Sequence, residues 1–206
     1  MKASKPIIGV IGAGRLGTAV ARLSLKAGYE VFIANSRGPE SLGLQLSILL
    51  PAAHASSVNE VIQKADVIVL AIPLHQYNTL PPDLFSGKIV IDAMNYWQPT
   101  EGEIAEFMDE KSTSSDYIQQ YLSGARVVKT LNHIAYNELE EDGVPKGTSG
   151  RRAMVLAGND TDAKQVVAEF IDDLGFDPVA VGPLSEGKRF QPDTPLFNTR
   201  YTEKDL

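Results

Sequence analysis

The sequence predicts an α/β fold with a mostly parallel sheet, and three observations support this prediction. Short runs of β-branched residues alternate with segments of helical period, as in parallel strands joined by crossover helices. The first such run, at residues 7–11, leads directly into a glycine-rich turn and a helix. The chain has 206 residues, which is enough for one domain with a small appendage and a closed core.

The composition excludes several classes of function. The chain has no cysteine, so disulfides, thiolate nucleophiles and cysteine-bound metals are excluded. Its formal net charge of −7 argues against a nucleic-acid partner. The longest apolar run, at 67–74, contains Pro73 and is far shorter than the roughly 20 residues that a membrane helix requires. The start of the chain does not resemble a signal peptide. We therefore expect a soluble, cytoplasmic protein with no membrane partner.

The first predicted unit is a strand, a helix and a second strand. After the strand at 7–11, apolar residues recur at helical spacing from Leu16 to Ala27. Gly28 stands where a helix C′ residue belongs, so the helix is expected to end there. The β-branched and aromatic run at 31–34 then predicts the second strand.

Two helices and a buried strand are predicted next. Pro39 takes a first-turn position, which favours a helical stretch opening at this point. Ser57 and Glu60 fit a capping box, in which the serine accepts from the amide three residues on and the glutamate reaches back. A short helix is therefore expected from Ser57, and the apolar run at 67–72 predicts a buried strand.

The middle of the chain is predicted as two strands, two helical pieces and a loop. The strands are expected at 88–93 and 125–130, with helical pieces at 103–110 and 116–122 between them. The segment 138–152 carries no apolar period and is rich in glycine, lysine and acidic residues. We expect it to form an exposed loop.

A strand, a helix and a strand are predicted near the end of the chain. The strands are expected at 153–157 and 178–181. The helix between them has an unbroken apolar stripe, with Asp160 as its N-cap and Gly175 at its end. This unit is expected to extend the same sheet, while the tail 187–206 has too little periodicity to assign.

The sharpest motif is a G-x-G-x-x-G placed directly after the first strand. Gly12 permits the tight turn, Gly14 lets a pyrophosphate approach the backbone, and Gly17 lets helix and strand pack closely. Free amides at the helix start, with the positive end of the helix dipole behind them, would bind the phosphates. The motif predicts a Rossmann-type, doubly wound sheet that binds a dinucleotide through Gly12, Ala13, Gly14, Arg15, Leu16 and Gly17.

The end of the second strand predicts which dinucleotide binds. NAD enzymes place an acidic residue about 20 residues past the fingerprint, to bond the ribose 2′-hydroxyl. Here that place is taken by Asn35, Ser36 and Arg37. A carboxylate would repel a 2′-phosphate, whereas a hydroxyl and a guanidinium bond it. The expected cofactor is NADP(H), and the alternative is that Arg37 is a solvated turn residue.

Later strand ends are expected to line the same crevice. Ligands of open α/β sheets bind outside the carboxyl ends of strands near the point where the strand order reverses. Apolar side chains there would cover the nicotinamide, and polar ones would bond its ribose or carboxamide, or the second substrate. The alternative for each polar residue is an ordinary loop-capping role. The residues expected to contact the cofactor are Ile72, Pro73, Leu74, Asn95, Lys129 and Asn132, and His133 is the candidate for positioning the reacting rings.

Two other sets of polar residues are candidate sites. The basic run at 146–152 either steers an anionic acceptor or is a solvated loop. The three histidines, His54, His75 and His133, show no metal-ligand spacing, so no metal site is predicted. His54 is expected at a strand or turn edge without a catalytic role.

Several stretches together resemble a known family, the NADPH-dependent reductases of the deazaflavin coenzyme F420. The cytoplasmic reductase domain of the STEAP-type ferric reductases is related to that family. The sequence departs from the family pattern at Thr130-Leu131 and in the tail 189–206, which leaves the acceptor open. The similar stretches are GVIGAGRLGTAVA at 9–21, NSR at 35–37, AIP at 71–73, IDAMN at 91–95, VVKTLN at 127–132, RRAMVLAGND at 151–160 and DDLGFDPVAVGPL at 172–184.

The resemblance implies an architecture and an activity. It implies an NADP-binding Rossmann domain over residues 1–152, with a C-terminal extension over 153–206 that packs on the same sheet, in a homodimer. The implied activity is hydride transfer between NADP(H) and a small-molecule redox acceptor, either coenzyme F420 or a flavin. Such a transfer requires no nucleophile, because the chemistry belongs to the two rings and the protein holds them face to face.

Two other classes of function remain open. A non-catalytic NADP(H)-binding sensor would bind the cofactor and reduce no acceptor. A small-acid dehydrogenase would append a long helical domain, and the stretch after Gly158 is too short to supply one.

Overall fold

One eight-stranded sheet organises the chain in the computed structural model, which describes residues 4–108 and 112–206. The strands run in the order β3-β2-β1-β4-β5-β6-β7-β8. Neighbouring strands are parallel throughout, except that β6 and β7 are antiparallel. The strands are β1 (Ile8–Ile11), β2 (Val31–Ala34), β3 (His54–Ala55), β4 (Val67–Leu70), β5 (Ile89–Asp92), β6 (Arg126–Lys129), β7 (Ala153–Gly158) and β8 (Asp177–Ala180).

Seven α-helices and several 3₁₀ helices connect the strands in the described part of the chain. The capping box at Ser57 is present, and Asp160 caps the amide of Ala163 as predicted. The α-helices are α1 (Arg15–Lys26), α2 (Gly43–Leu49), α3 (Val58–Lys64), α4 (Gln98–Glu101), α5 (Ser114–Tyr121), α6 (Tyr136–Glu141) and α7 (Thr161–Leu174). The 3₁₀ helices are Pro39–Leu42, Leu74–Thr79, Pro82–Phe85, Ala105–Met108, Leu184–Phe190 and Glu203–Asp205.

The strand order is that of a Rossmann-type, doubly wound sheet. The chain leaves β1 toward β2 and β3 on one side and returns to β4, β5 and β6 on the other, so the order reverses between β1 and β4. The parallel strands β1, β4 and β5 are fully buried, because helices cover both faces of the sheet. The predicted fold class is confirmed. Residues 153–206 contribute strands β7 and β8 to this sheet, with helix α7 between them in the chain. The domain boundary at 152 stays a prediction.

The prediction of an exposed loop at 138–152 is wrong at both ends. Its first residues belong to α6, and its last two, Arg151 and Arg152, are buried. The Arg151 guanidinium donates to Asp172 at 2.6 Å and to Asp177 at 2.7 Å. Charged residues carry no apolar period, so partners supplied by α7 and β8 were invisible to pattern analysis.

Arg152 is held in the same way by the helix on its other side. Its guanidinium donates to Glu138 at 2.9 Å and to Asp142 at 2.7 Å. The hydrogen bond from Arg152 to Glu138 is the main reason why the pKa of Glu138 lies below its ordinary value. Because both arginines are paired, the basic run at 146–152 is not a free cationic patch for an acceptor.

Two smaller predictions also differ from the structure. The helical piece expected at 103–110 is a 3₁₀ helix at Ala105–Met108, and residues 109–111 lie outside the described residues. The short helix α4 was not predicted. His54 lies on the edge strand β3, as expected. Among the described residues, no helix has the length and apolarity needed to cross a membrane.

Candidate functional site

The glycine-rich turn leaves an open approach to the backbone at one position only. A Cβ on Gly12, whose φ is +115°, would lie 2.2 Å from the carbonyl oxygen of Ala71. A Cβ on Gly17 would lie 1.8 Å from the carbonyl oxygen of Gly12. A Cβ on Gly14 would meet no atom within 4 Å. The first and third glycines are therefore required by packing, whereas the second leaves room for a ligand.

The start of α1 provides hydrogen-bond donors beside that open position. Gly14 is the N-cap and offers no side chain to the first-turn amides, so they remain available to an anion. Ala13 and Leu16 pack against the core. The Arg15 guanidinium lies 5.5 Å from the ring centre of Tyr136 in α6, and both residues line a pocket with Ala13 and Gly14.

The turn after β2 is ordered by Asn35 and presents two polar side chains to solvent. The Asn35 side chain accepts from the Arg37 amide at 2.9 Å and donates to Ser41 at 2.9 Å. Ser36 and Arg37 are both exposed. Among the described residues, no acidic side chain forms an ion pair with Arg37.

The segment after β4 lies beside the glycine turn. Leu74 is buried, whereas Ile72 is half-buried and Pro73 is exposed. Next to them, the His75 ring contacts the Glu101 carboxylate, with 3.1 Å between Nδ1 and Oε1. The Ile72 backbone adjoins Gly12, so this segment lies at the carboxyl ends of β1 and β4, and its contact with a cofactor stays a prediction.

Asn95 and Asn132, which follow β5 and β6, bond to each other. The Asn95 side chain donates to the Asn132 carbonyl oxygen at 2.7 Å. The Asn132 side chain donates to Asn95 Oδ1 at 3.0 Å and to the Phe190 carbonyl oxygen at 2.9 Å. Their side-chain amides therefore join the ends of β5 and β6 to the C-terminal segment. This arrangement matches the loop-capping role that was the alternative to a cofactor contact.

Lys129, expected to approach the nicotinamide, is fully buried at the end of β6. Its Nζ lies 3.2 Å from Asp92 Oδ2 and also donates to the Met94 carbonyl oxygen. Asp92 additionally accepts from Ser115 Oγ at 2.6 Å and from the Met94 amide at 3.0 Å. Burial holds the pKa of Lys129 below its ordinary value, and the charge and hydrogen bond of Asp92 oppose that shift. Through these bonds the pair connects β5, β6 and α5.

His133, the candidate for positioning the reacting rings, is also buried. Its Nε2 accepts from the Val155 amide at 3.3 Å, and its ring packs edge-on against Phe190. Burial, followed by the positive charges of Arg152 and Lys129, lowers its pKa to about 3. The imidazole is thus neutral and is used to bond β7, so its contact with a nicotinamide stays a prediction without support from this geometry.

A cavity of about 550 Å³ opens beyond the carboxyl end of β5, and sequence reasoning did not find it. Two aromatic side chains follow Asn95 directly, which was an available signal. Other lining residues come from the tail, which has no periodicity to place it. The cavity is lined by Tyr96, Trp97 and Phe107 from the segment after β5, and by Ser185, Lys188 and Gln191 from the tail.

Clusters of three or more His, Asp or Glu side chains suited to a metal ion are absent from the described residues. The sequence-predicted residues divide into two groups. The glycine turn, Ser36 and Arg37, and the segment after β4 follow the carboxyl ends of three neighbouring strands, β1, β2 and β4. Asn95, Lys129, Asn132 and His133 are engaged with the protein itself.

Comparison with known proteins identifies similar chains. The family model described as NADP oxidoreductase, coenzyme F420-dependent, matches residues 7–96. The metalloreductase STEAP3 of Rattus norvegicus is 25% identical over 188 residues, which cover 90% of this chain and 36% of the relative. This chain therefore spans about a third of the length of the curated relatives that it matches.

Two solved structures share most of the fold. The hypothetical protein SMa0349 of Sinorhizobium meliloti is 32% identical, with a TM-score of 0.82 and 96% of each chain covered. A protein of Arthrobacter sp. FB24 described as an F420-dependent NADP reductase is 25% identical, with a TM-score of 0.76. That superposition covers 89% of this chain and 87% of the other.

Proposed function

The chain belongs to the family of coenzyme F420-dependent NADP oxidoreductases, and from this premise we propose that it transfers a hydride between NADP(H) and a deazaflavin or flavin acceptor. The observation that carries the proposal is the open glycine turn with exposed Ser36 and Arg37 beside it. A dinucleotide with a 2′-phosphate matches both features, because the turn accepts its pyrophosphate and the arginine accepts its additional charge.

The residues present fit NADP(H). Gly14 leaves space where a side chain would block the phosphates, and the first-turn amides of α1 supply donors. Ser36 and Arg37 would hold the 2′-phosphate, while Ile72 and Pro73 would cover the middle of the dinucleotide. When bound, NADP(H) supplies or takes up the hydride, and the balancing proton exchanges with solvent.

The protein's own contribution is positioning. The buried pair of Lys129 and Asp92 and the reciprocal bonds of Asn95 and Asn132 fix the strand ends below the crevice. Fixed strand ends would hold two planar rings at the short separation that hydride transfer requires, without any residue acting as a nucleophile.

Arg37→Gln tests the cofactor assignment. We expect the dissociation constant for NADPH to rise about tenfold or more, because a charge-assisted bond to the 2′-phosphate is lost, while the NADH constant stays unchanged. Lys26→Gln is the matched control, since it removes one exposed charge at the opposite end of α1. Binding is measured by the fluorescence of the reduced nicotinamide. A wild-type preference for NADH would contradict the proposal.

The acceptor is tested by anaerobic NADPH oxidation with a deazaflavin, FMN, FAD, quinones and ferric chelates, with NADH as the control donor. Turnover with the deazaflavin or a flavin is expected. One observation favours a second function, a non-catalytic NADP(H) sensor: the polar residues after β5 and β6 are bonded to each other. Tight NADPH binding without turnover of any acceptor would support the sensor.

A further inference from the structure

We propose that His75 donates the proton that accompanies the hydride to the acceptor, and that the buried carboxylate of Glu101 holds its ring for this task. The inference rests on the proposed function, because reduction of a deazaflavin or flavin ring takes up one hydride and one proton. His75 follows β4, and Glu101 ends helix α4, which follows β5. The pair therefore joins segments that leave two neighbouring strands of the sheet.

Glu101 is a buried carboxylate that bonds only to His75 within the described part of the chain. Its side chain is 8% exposed, and its Oε1 lies 3.1 Å from His75 Nδ1 and accepts from the His75 amide at 3.4 Å. Among the described residues, its Oε2 is the one buried side-chain oxygen or nitrogen without a hydrogen-bond partner. Such an atom destabilises a fold, so its presence indicates that Glu101 serves His75 rather than stability.

The two nitrogens of the His75 ring are left with different tasks. Because Nδ1 faces Glu101, the carboxylate accepts the Nδ1 proton and fixes the orientation of the ring. Nε2 has a long contact of 3.5 Å with the Gln76 side chain, and the His75 side chain is 47% exposed. A proton on Nε2 is therefore available for transfer, and the carboxylate balances the charge of the imidazolium that carries it.

The pair is located at the edge of the sheet where the dinucleotide is proposed to bind. His75 comes three residues after Ile72, whose backbone adjoins Gly12 of the glycine turn. Ligands of open α/β sheets bind outside these strand ends. An imidazole placed there, which gains and loses a proton near neutral pH, suits general acid chemistry.

Other ionisable side chains that bond to the 3₁₀ helix Leu74–Thr79 engage different residues of it. Tyr77 donates to Glu106 at 3.0 Å, and Tyr121 donates to the Asn78 carbonyl oxygen at 2.8 Å. Within the described residues, Glu101 is thus the charge that pairs with His75.

The proposed step balances in both directions. His75 releases the proton from Nε2 to a ring nitrogen of the acceptor, as the hydride brings two electrons from the nicotinamide. The imidazole, now neutral, takes a new proton from solvent at Nε2, and Glu101 stays ionised throughout. In the reverse direction, the neutral imidazole takes the proton from the reduced acceptor while NADP accepts the hydride.

The pH dependence of the anaerobic reaction tests this step. NADPH oxidation is followed with saturating FMN or a deazaflavin from about pH 6 to 9, the range in which an imidazole changes charge. We expect kcat to fall by up to about tenfold per pH unit on the alkaline side, because only the protonated ring has a proton to give. With the reduced deazaflavin and NADP, kcat should instead rise with pH.

His75→Gln should lower kcat about 100-fold or more and remove the pH dependence, while the dissociation constant for NADPH stays unchanged. Free imidazole should restore part of the rate in His75→Ala, which loss of a structural contact would not allow. His54→Gln is the matched control and should keep the wild-type profile. His54 also faces a glutamate, with 3.6 Å to Glu30, but both side chains are 53% exposed.

Glu101→Gln tests the positioning role. It keeps a hydrogen-bond acceptor for the ring and removes the charge, so kcat should fall about tenfold while the KM for NADPH stays unchanged. Because Glu101 acts through His75, the double variant with His75→Gln should be no slower than His75→Gln alone.

The outcomes separate this inference from the proposed function. Wild-type kcat and pH profile in His75→Gln would overturn the inference and leave the proposed function standing. Weaker NADPH binding that accounts for the whole loss would also overturn it, because His75 would then be a binding residue. Additive losses in the double variant would refute the role of Glu101. Wild-type protein that binds NADPH and reduces no acceptor would overturn both proposals.

Discussion

The turns that follow β1 and β6 are at the same edge of the sheet and are built in opposite ways. The turn after β1 bends at Gly12, with φ +115°, and has almost no side chains, so its backbone is open at Gly14. The turn after β6 bends at Leu131, with φ 65°, and its polar side chains point inward. The first turn leaves its backbone open to a ligand, whereas the side chains of the second turn bond to the neighbouring strand β7.

Side chains of the turn after β6 make hydrogen bonds to β7 that a longer strand β6 would make with its backbone. The pairing of β6 with β7 covers only Val128 with Gly158 and Lys129 with Ala157. Beyond it, Thr130 Oγ1 donates to the Val155 carbonyl oxygen at 2.8 Å, and His133 accepts from the Val155 amide. Side chains thus form hydrogen bonds with the backbone groups of β7 that the short pairing with β6 leaves without a strand partner. A polar residue after a strand is therefore not by itself a cofactor contact.

The largest expected effect is at Lys129, in the inward-facing region. Lys129→Met should lower the free energy of unfolding by about 3 to 5 kcal/mol, because it leaves the Asp92 carboxylate buried without its partner. Urea unfolding provides the measurement. The double variant Lys129→Met with Asp92→Asn should recover part of the loss, since the uncompensated charge is gone. A single variant as stable as wild type would show that Lys129 is not structural.

Gly17→Ala and Gly14→Ala separate packing from binding within the turn after β1. Gly17→Ala should cost about 3 kcal/mol of stability, because its Cβ would overlap the Gly12 carbonyl oxygen. Gly14→Ala should leave the thermal midpoint unchanged, since nothing lies within 4 Å, and should weaken NADPH binding. Calorimetry and NADPH titration measure the two effects. Equal stability losses in the two variants would contradict the assigned roles.

The smallest expected effect, counted per pH unit, is a pH dependence of stability that originates at His133. Its pKa in the folded protein, about 3, lies below the ordinary value of 6.5, so only the unfolded chain takes up this proton at mildly acidic pH. This contribution to stability is full above pH 6.5 and is lost as pH falls toward 3. The slope rises as pH falls through 6.5 and should approach about 1.4 kcal/mol per pH unit between about pH 5.5 and 4.5.

His133→Gln should remove that slope, because its side-chain oxygen still accepts from the Val155 amide without titrating. His54→Gln, on the exposed edge strand β3, is the matched histidine-to-glutamine control. Unfolding free energies at several pH values measure both. If His133→Gln retains the wild-type slope, the imidazole is not the group that titrates.

Local pattern was sufficient for most of the fold. The glycine turn, the capping box at Ser57 and the capped helix after Asp160 were predicted because each depends on residues within a few positions. The buried strands were predicted because their apolar runs are continuous. The prediction of a loop at 138–152 was wrong because Arg151 and Arg152 are buried by pairing with carboxylates that other elements supply.

The sequence by itself determined the sheet, the order of its elements and the open glycine turn, because short-range sterics and hydrophobic period act on neighbouring residues. Only the tertiary structure decided the direction of the polar side chains after β5 and β6. Asn95, Lys129 and His133 each bond to a segment distant along the chain. The tail also closes the cavity beside Trp97 through such distant contacts. Burial requires each polar group to find a partner, and which partner lies within reach is fixed only when the sheet and its tail have packed.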